Sequence, residues 1–129
     1  MAKGKVGLGR RGESLAAEVL TRHGYTLVTR NWYCPEGEVD IVAARNDELT
    51  FFEVRTRRGK SYGTPEQSVR PRKRARMEAV ARRYIGEEVE SLDVAWHLGL
   101  VALQMDHRGH ILRITVYPDL EGEPWNAEI

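Results

Sequence analysis

The chain has 129 residues and a mass of 14.7 kDa, with 41% hydrophobic and 30% charged side chains. That suits one domain around one core and is too short for two. Its single cysteine, Cys34, excludes an internal disulfide framework and a cysteine-based zinc cluster, as expected of a reducing compartment. The basic start lacks the apolar segment of a secretory signal, and no apolar run approaches the roughly 20 residues of a membrane span. A soluble, cytoplasmic protein with no membrane partner is expected: one domain over 1–129, with a basic arm over about 1–11 and an acidic, loose tail over about 118–129.

The predicted elements follow in chain order. Ala16, Ala17, Val19 and Leu20 recur at helical spacing between about Gly12 and His23, and Gly24 is placed as a stop. A strand is expected over Tyr25–Trp32 and a loop over Tyr33–Gly37. Alternation in Glu38–Ala44, a turn at Arg45–Glu48 and a second strand over Leu49–Thr56 read as a hairpin. After a loop from Arg57 to Thr64, Pro65 suits a helix start. Val69, Met77, Val80, Ala81 and Tyr84 keep helical spacing to about Ile85, but Pro71 moves the start of the main helix to near Arg72. Strands over Leu98–Met105 and His110–Tyr117 follow, joined by the turn Asp106–Gly109. The order α-β-β-β-α-β-β predicts an α/β fold with a mixed sheet flanked by helices.

The net charge of +1 conceals a strong asymmetry along this layout. Residues 54–83 carry 11 basic and 2 acidic side chains, +9, whereas residues 84–129 carry 2 and 9, −7. An arginine-rich block of this kind is what a phosphate backbone selects, although a solvated helix face produces the same pattern.

In the hairpin, Val39, Ile41 and Ala43 form one apolar face and Thr50, Phe52 and Val54 the matching one. A symmetrical turn about Asn46-Asp47 sets Ile41 opposite Phe52 and Val39 opposite Val54. The same register places Asp40 opposite Glu53 and Glu38 opposite Arg55 on the other face. Opposed Cβ atoms stand about 4.5–5.5 Å apart, a separation at which two carboxylates can grip one hard cation such as Mg²⁺. Two facing acids need a metal, a cationic neighbour or a proton. The alternative is a solvent-exposed strand face on which Glu38 and Arg55 form an ordinary ion pair.

Gly12-Glu13 opening the first helix, Asn31, Gly37-Glu-Val-Asp40, Phe52-Glu-Val-Arg55, Tyr62-Gly63, Pro65, Lys73, Ala81 and Tyr84 together resemble the YraN-type family. That family is a set of predicted endonucleases in the restriction-endonuclease-like PD-(D/E)XK superfamily. The resemblance covers about residues 9–95 and extends, in layout only, to the archaeal Holliday junction resolvases, which act on branched DNA as dimers. It implies a restriction-endonuclease-like core and a Mg²⁺- or Mn²⁺-dependent endonuclease acting on nucleic acid, DNA before RNA, with a homodimer as an option. Asp40 and Glu53 match the superfamily's metal-binding acids, and Glu13 matches the helix carboxylate beside them. Arg55 stands where the superfamily usually carries Lys. A guanidinium keeps its proton and cannot act as a general base, but it can stabilise charge on a scissile phosphate.

Each remaining residue carries two readings. Glu13 also suits a first helical turn through the helix dipole. Glu38 is assigned as the partner of Arg55, with a role behind the metal acids as the alternative, and Gln67 is placed near the site. Lys73 shares a stripe with Met77, Val80 and Tyr84; it can supply the missing amine, yet the favoured reading has its stem covering apolar surface. Arg57, Arg58, Lys60, Arg70, Arg72, Lys73, Arg74 and Arg76 are expected to grip backbone phosphates. His107 and His110 read as a polar turn rather than metal ligands. Two further functions remain open. One is a catalytically weakened or inactive nucleic-acid-binding module on the same fold; the other is an assembly protein in which the basic block meets another copy's acidic tail.

Overall fold

The computed structural model describes residues 6–59, 69–91 and 93–128. In chain order the elements are α1 (Val6–Arg22), β1 (Thr26–Cys34), β2 (Gly37–Arg45), β3 (Glu48–Arg58), α2 (Pro71–Glu88), β4 (Trp96–Met105), β5 (Ile111–Tyr117) and β6 (Trp125–Ala127). The six strands form one sheet in sequence order. All neighbours are antiparallel except β3 and β4, which run parallel on either side of the crossover through α2. The α/β class and mixed sheet are those expected.

The hairpin register follows from its turn. Asn46 and Asp47 have φ of 55° and 61°, the paired left-handed conformation of a type I′ turn. Arg45 therefore pairs with Glu48, Ala43 with Thr50 and Ile41 with Phe52. Ile41, Ala43 and Phe52 enter a core beneath α1 with Ala16, Val19 and Leu20. Val42 and Phe51 enter the opposite core with Val80, Ala81 and Tyr84 of α2. Tyr84 meets Trp32 and Phe51 edge-on, with ring centroids 5.1 and 5.5 Å apart.

Three expectations are corrected, and a fourth, the start of the second helix, is met. Val39 does not share a face with Ile41 and Ala43; it joins the α2 core, because the alternation of β2 breaks where that strand parts from β3. Residues 6–11, expected as part of a basic arm, are the first turns of α1, so Glu13 lies inside the helix and not in its opening turn. The main second helix starts at Pro71, one residue from the expected start near Arg72, in the first-turn position where proline's missing N–H costs nothing. The tail is not loose throughout: Trp125–Ala127 pairs with the free edge of β5 and Ala127 is buried against the α1 core. The Leu120 N–H also donates to the Leu98 carbonyl at 2.9 Å. Lys60, Tyr62, Gly63, Pro65 and Gln67 lie outside the described residues.

Candidate active site

The site begins where a ladder ends. Pairing between β2 and β3 stops at Ile41–Phe52, while β3 continues in parallel with β4, from Glu53 opposite Leu100 to Arg58 opposite Met105. A backbone donor leaving one ladder needs another partner. Asp40 provides it: its Oδ2 accepts the Val54 N–H at 2.8 Å. Asp40 and Glu53 are thus not ladder partners as expected, and neither are Glu38 and Arg55, because the β2–β3 ladder has already ended at Ile41–Phe52. The side chains converge regardless, since the opening between the strands admits groups from helices on both faces of the sheet.

That opening is a cleft of about 390 Å³ lined by Glu13 of α1, Glu38 and Asp40 of β2, Glu53 and Arg55 of β3, and Lys73 of α2, with Arg76 at its wall. Glu13 and Asp40 are only 7% and 8% exposed, which removes the solvated strand face as an explanation for Asp40. The start of α1 at Val6 removes the first-turn dipole as an explanation for Glu13. Glu13 reaches the cleft because Gly12 lets α1 rest on β3: a Cβ at that position would overlap Thr56 Oγ1. Arg30 Nη2 stands 4.0 Å from Glu13 Oε1.

Glu53 lies at the electrostatic centre of the cleft. Its Oε2 is 3.4 Å from Lys73 Nζ and 3.0 Å from Arg55 Nε, the latter an ion pair without hydrogen-bond alignment. Burial first, and the negative charge of Asp40 second, still hold its carboxyl above the usual range against the opposing pull of Lys73 and Arg55. Donors that are all carboxylate oxygens suit a hard divalent cation, so Asp40 and Glu53 fit one by chemistry and by charge. Among the described residues, no three acid, imidazole or thiol groups form a ready-made metal cluster, and a cation at Glu53 would share that carboxylate with Lys73 and Arg55.

Residues 12–107 match the family model described as "Uncharacterised protein family UPF0102". The chain belongs to this family, the YraN-type family. A UPF0102 protein of Roseiflexus castenholzii is 38% identical over 86% of this chain and 90% of its own length. One from Caldicellulosiruptor bescii is 30% identical over 87% and 94%. One from Moorella thermoacetica is 49% identical over a shorter stretch, 60% of this chain and 65% of its own. Every candidate residue from Glu13 to Arg76 falls inside the stretch that the UPF0102 model matches.

The basic block of this UPF0102 protein divides among three places. Lys73 and Arg76 line the cleft; the amine of Lys73 therefore sits against Glu53, where sequence reasoning had favoured a stem that merely covers apolar surface. Arg70 and Arg72 are exposed at the start of α2, and Arg74 pairs with Glu121 of the tail. Arg57 and Arg58 continue β3 beyond the cleft. Sequence reasoning missed Glu36 and Thr56, which also line the cleft. Glu36 is clamped by Arg83 of α2 at 3.0 and 2.8 Å, and those hydrogen bonds hold its carboxyl down to about 2. The pair lies 47 positions apart, so no local pattern signals it.

Proposed function

We propose that this UPF0102 protein is a nucleic-acid-binding, metal-dependent endonuclease of the PD-(D/E)XK type. It would hydrolyse phosphodiesters with Mg²⁺ or Mn²⁺, in DNA before RNA and in branched or structured DNA in particular. One observation carries the reading: Asp40, Glu53 and the amine of Lys73 meet in one cleft, with Lys73 Nζ 3.4 Å from Glu53 Oε2. That is the acid, acid and lysine set of the superfamily, with the lysine supplied by a helix in place of the strand position that Arg55 occupies.

In this reading Asp40 and Glu53 would hold the metal, with Glu13 flanking them. When bound, the metal would supply Lewis-acid chemistry for the phosphate and for activating water. Lys73, 27% exposed at its side chain, presents a compact amine that orients the attacking water and lends its positive charge to the phosphate. Arg55 stays charged and stabilises the negative charge that builds on the phosphate. Arg76 at the wall, with Arg70 and Arg72 exposed beside it, holds neighbouring phosphates without reading sequence. The test is cleavage of linear, flapped and four-way DNA in Mn²⁺ by wild type and Glu53→Ala. Metal-dependent cutting by wild type alone is expected; identical behaviour of the two removes the hydrolytic claim.

A second reading is favoured by the pairing of Glu53 with both Arg55 and Lys73: a binding module in which those cations stand in for the metal. It predicts steeply salt-dependent nucleic-acid binding that survives Asp40→Ala, with no cutting in any divalent metal.

A further inference from the structure

Outside the cleft, two arginines from distant elements meet over one turn. The position that a Cβ on Gly109 would occupy lies 3.3 Å from Arg11 Nη1 and 3.8 Å from Arg58 Nη2. Gly109 has φ +89° and closes the β4–β5 turn by donating its N–H to the Asp106 carbonyl at 3.0 Å. A larger residue would be strained there and would crowd the Arg11 guanidinium, so the glycine lets both side chains come down on the turn. Like charges gathered in this way are unfavourable unless an anion joins them. Among the described residues neither guanidinium is ion-paired with a carboxylate. The turn's own acid, Asp106, is committed to the N–H groups of Arg108 and His110, at 2.8 and 2.9 Å, and to the His110 ring at 3.1 Å.

We infer that Arg11 and Arg58, gathered over the Gly109 turn, form a second phosphate clamp that holds the nucleic-acid backbone away from the scissile bond. The location supports this. Thr56 lines the cleft and touches Gly12, and Arg58 and Arg11 are the next outward positions on β3 and α1. Residues two apart on a strand share a face, so Thr56 and Arg58 continue one track toward the turn. Arg58 lies five residue steps along β3 from Glu53, about 17 Å at the usual rise, which corresponds to about five nucleotide steps of 3.4 Å along a duplex. Both arginines are exposed, and a guanidinium pair suits bidentate contact with a phosphodiester. The inference rests on the nucleic-acid reading of the cleft and adds a site that fixes the orientation of the duplex across it.

The test is fluorescence anisotropy of labelled DNA duplexes of increasing length, titrated over a salt series in Ca²⁺. It compares wild type, Arg11→Gln/Arg58→Gln and Arg11→Lys/Arg58→Lys. The glutamine pair is expected to bind long duplexes about tenfold more weakly and to lower the log–log salt slope by about 1. On duplexes too short to reach the turn it should match wild type. The lysine pair should keep the wild-type slope. A glutamine pair that binds long duplexes like wild type, or a lysine pair that loses as much as the glutamine pair, overturns the clamp and leaves the cleft reading intact. Failure of wild type to bind any duplex overturns the nucleic-acid reading itself, and the clamp with it.

Discussion

Lys73 of α2 and Arg55 of β3 share one oxygen of Glu53, at 3.4 and 3.0 Å, and yet burial and Asp40 keep the Glu53 carboxyl above its ordinary range. An acid whose folded-state pKa is raised binds its proton more tightly in the folded protein, so stability falls as pH rises through the window above 4.5. Glu53 therefore costs stability at pH 7 relative to acid. Glu53→Gln is expected to melt higher than wild type at pH 7, by about 1 kcal/mol or about 4 °C, while losing activity. The difference should shrink toward pH 4. Calorimetry at both pH values checks it; a lower melting temperature for the variant at pH 7 contradicts it.

The two cations at Glu53 are expected to separate kinetically. Lys73→Met should lower Mn²⁺-dependent cleavage by about 10²- to 10³-fold, the range of a lost charge-stabilising donor, with nucleic-acid affinity changed far less. Arg55→Lys keeps the positive charge and should leave substantial activity. Single-turnover rates measured beside binding constants make the comparison, and a Lys73→Met enzyme with a wild-type rate would remove the amine from the mechanism.

Asp40 does structural work that is separable from its charge. Asp40→Asn keeps an oxygen to accept the Val54 N–H, whereas Asp40→Ala leaves that donor without its partner. Urea unfolding is expected to show Asp40→Ala destabilised by about 1–3 kcal/mol and Asp40→Asn close to wild type.

At the other end of the sheet, His97 joins Glu48 to Asp119, with Nε2 2.5 Å from Glu48 Oε1 and Nδ1 3.0 Å from Asp119 Oδ2. The hydrogen bond to Glu48, above all, holds the imidazole above its ordinary pKa of 6.5. Stability from a raised histidine is fully present below the unfolded-state pKa and is lost as pH rises through the folded one. The stability gap between wild type and His97→Gln should therefore be widest below pH 6.5 and narrow in alkali. Denaturant midpoints at pH 6 and pH 9 measure it; a gap independent of pH contradicts it.

The parts of this fold that were legible in the sequence are those fixed locally. Asn46-Asp47 dictates a tight turn, and the turn carries the register as far as Ile41–Phe52. What lies beyond that pair was not legible, because nothing in the hairpin's own pattern marks where β2 parts from β3, and the opening is lined from α1 and α2, elsewhere in the chain. The same non-local event moves Val39 to the other core and brings Glu13 and Lys73 to one cleft from opposite faces of the sheet. Lys73 could have been read from its place one turn before Met77, since Met77 and Val80 form the cleft wall. The β6 strand left too short a pattern: three residues with an alternation no longer than the element itself.

The most direct measurement is Mn²⁺-dependent cleavage of structured DNA by Asp40→Asn, a variant that removes the carboxylate charge while retaining an acceptor for Val54. Wild type is expected to cut, and Asp40→Asn to be slowed by about 10²-fold or more at an unchanged melting temperature. Equal cutting by both proteins would contradict the carboxylate cleft as the seat of hydrolysis.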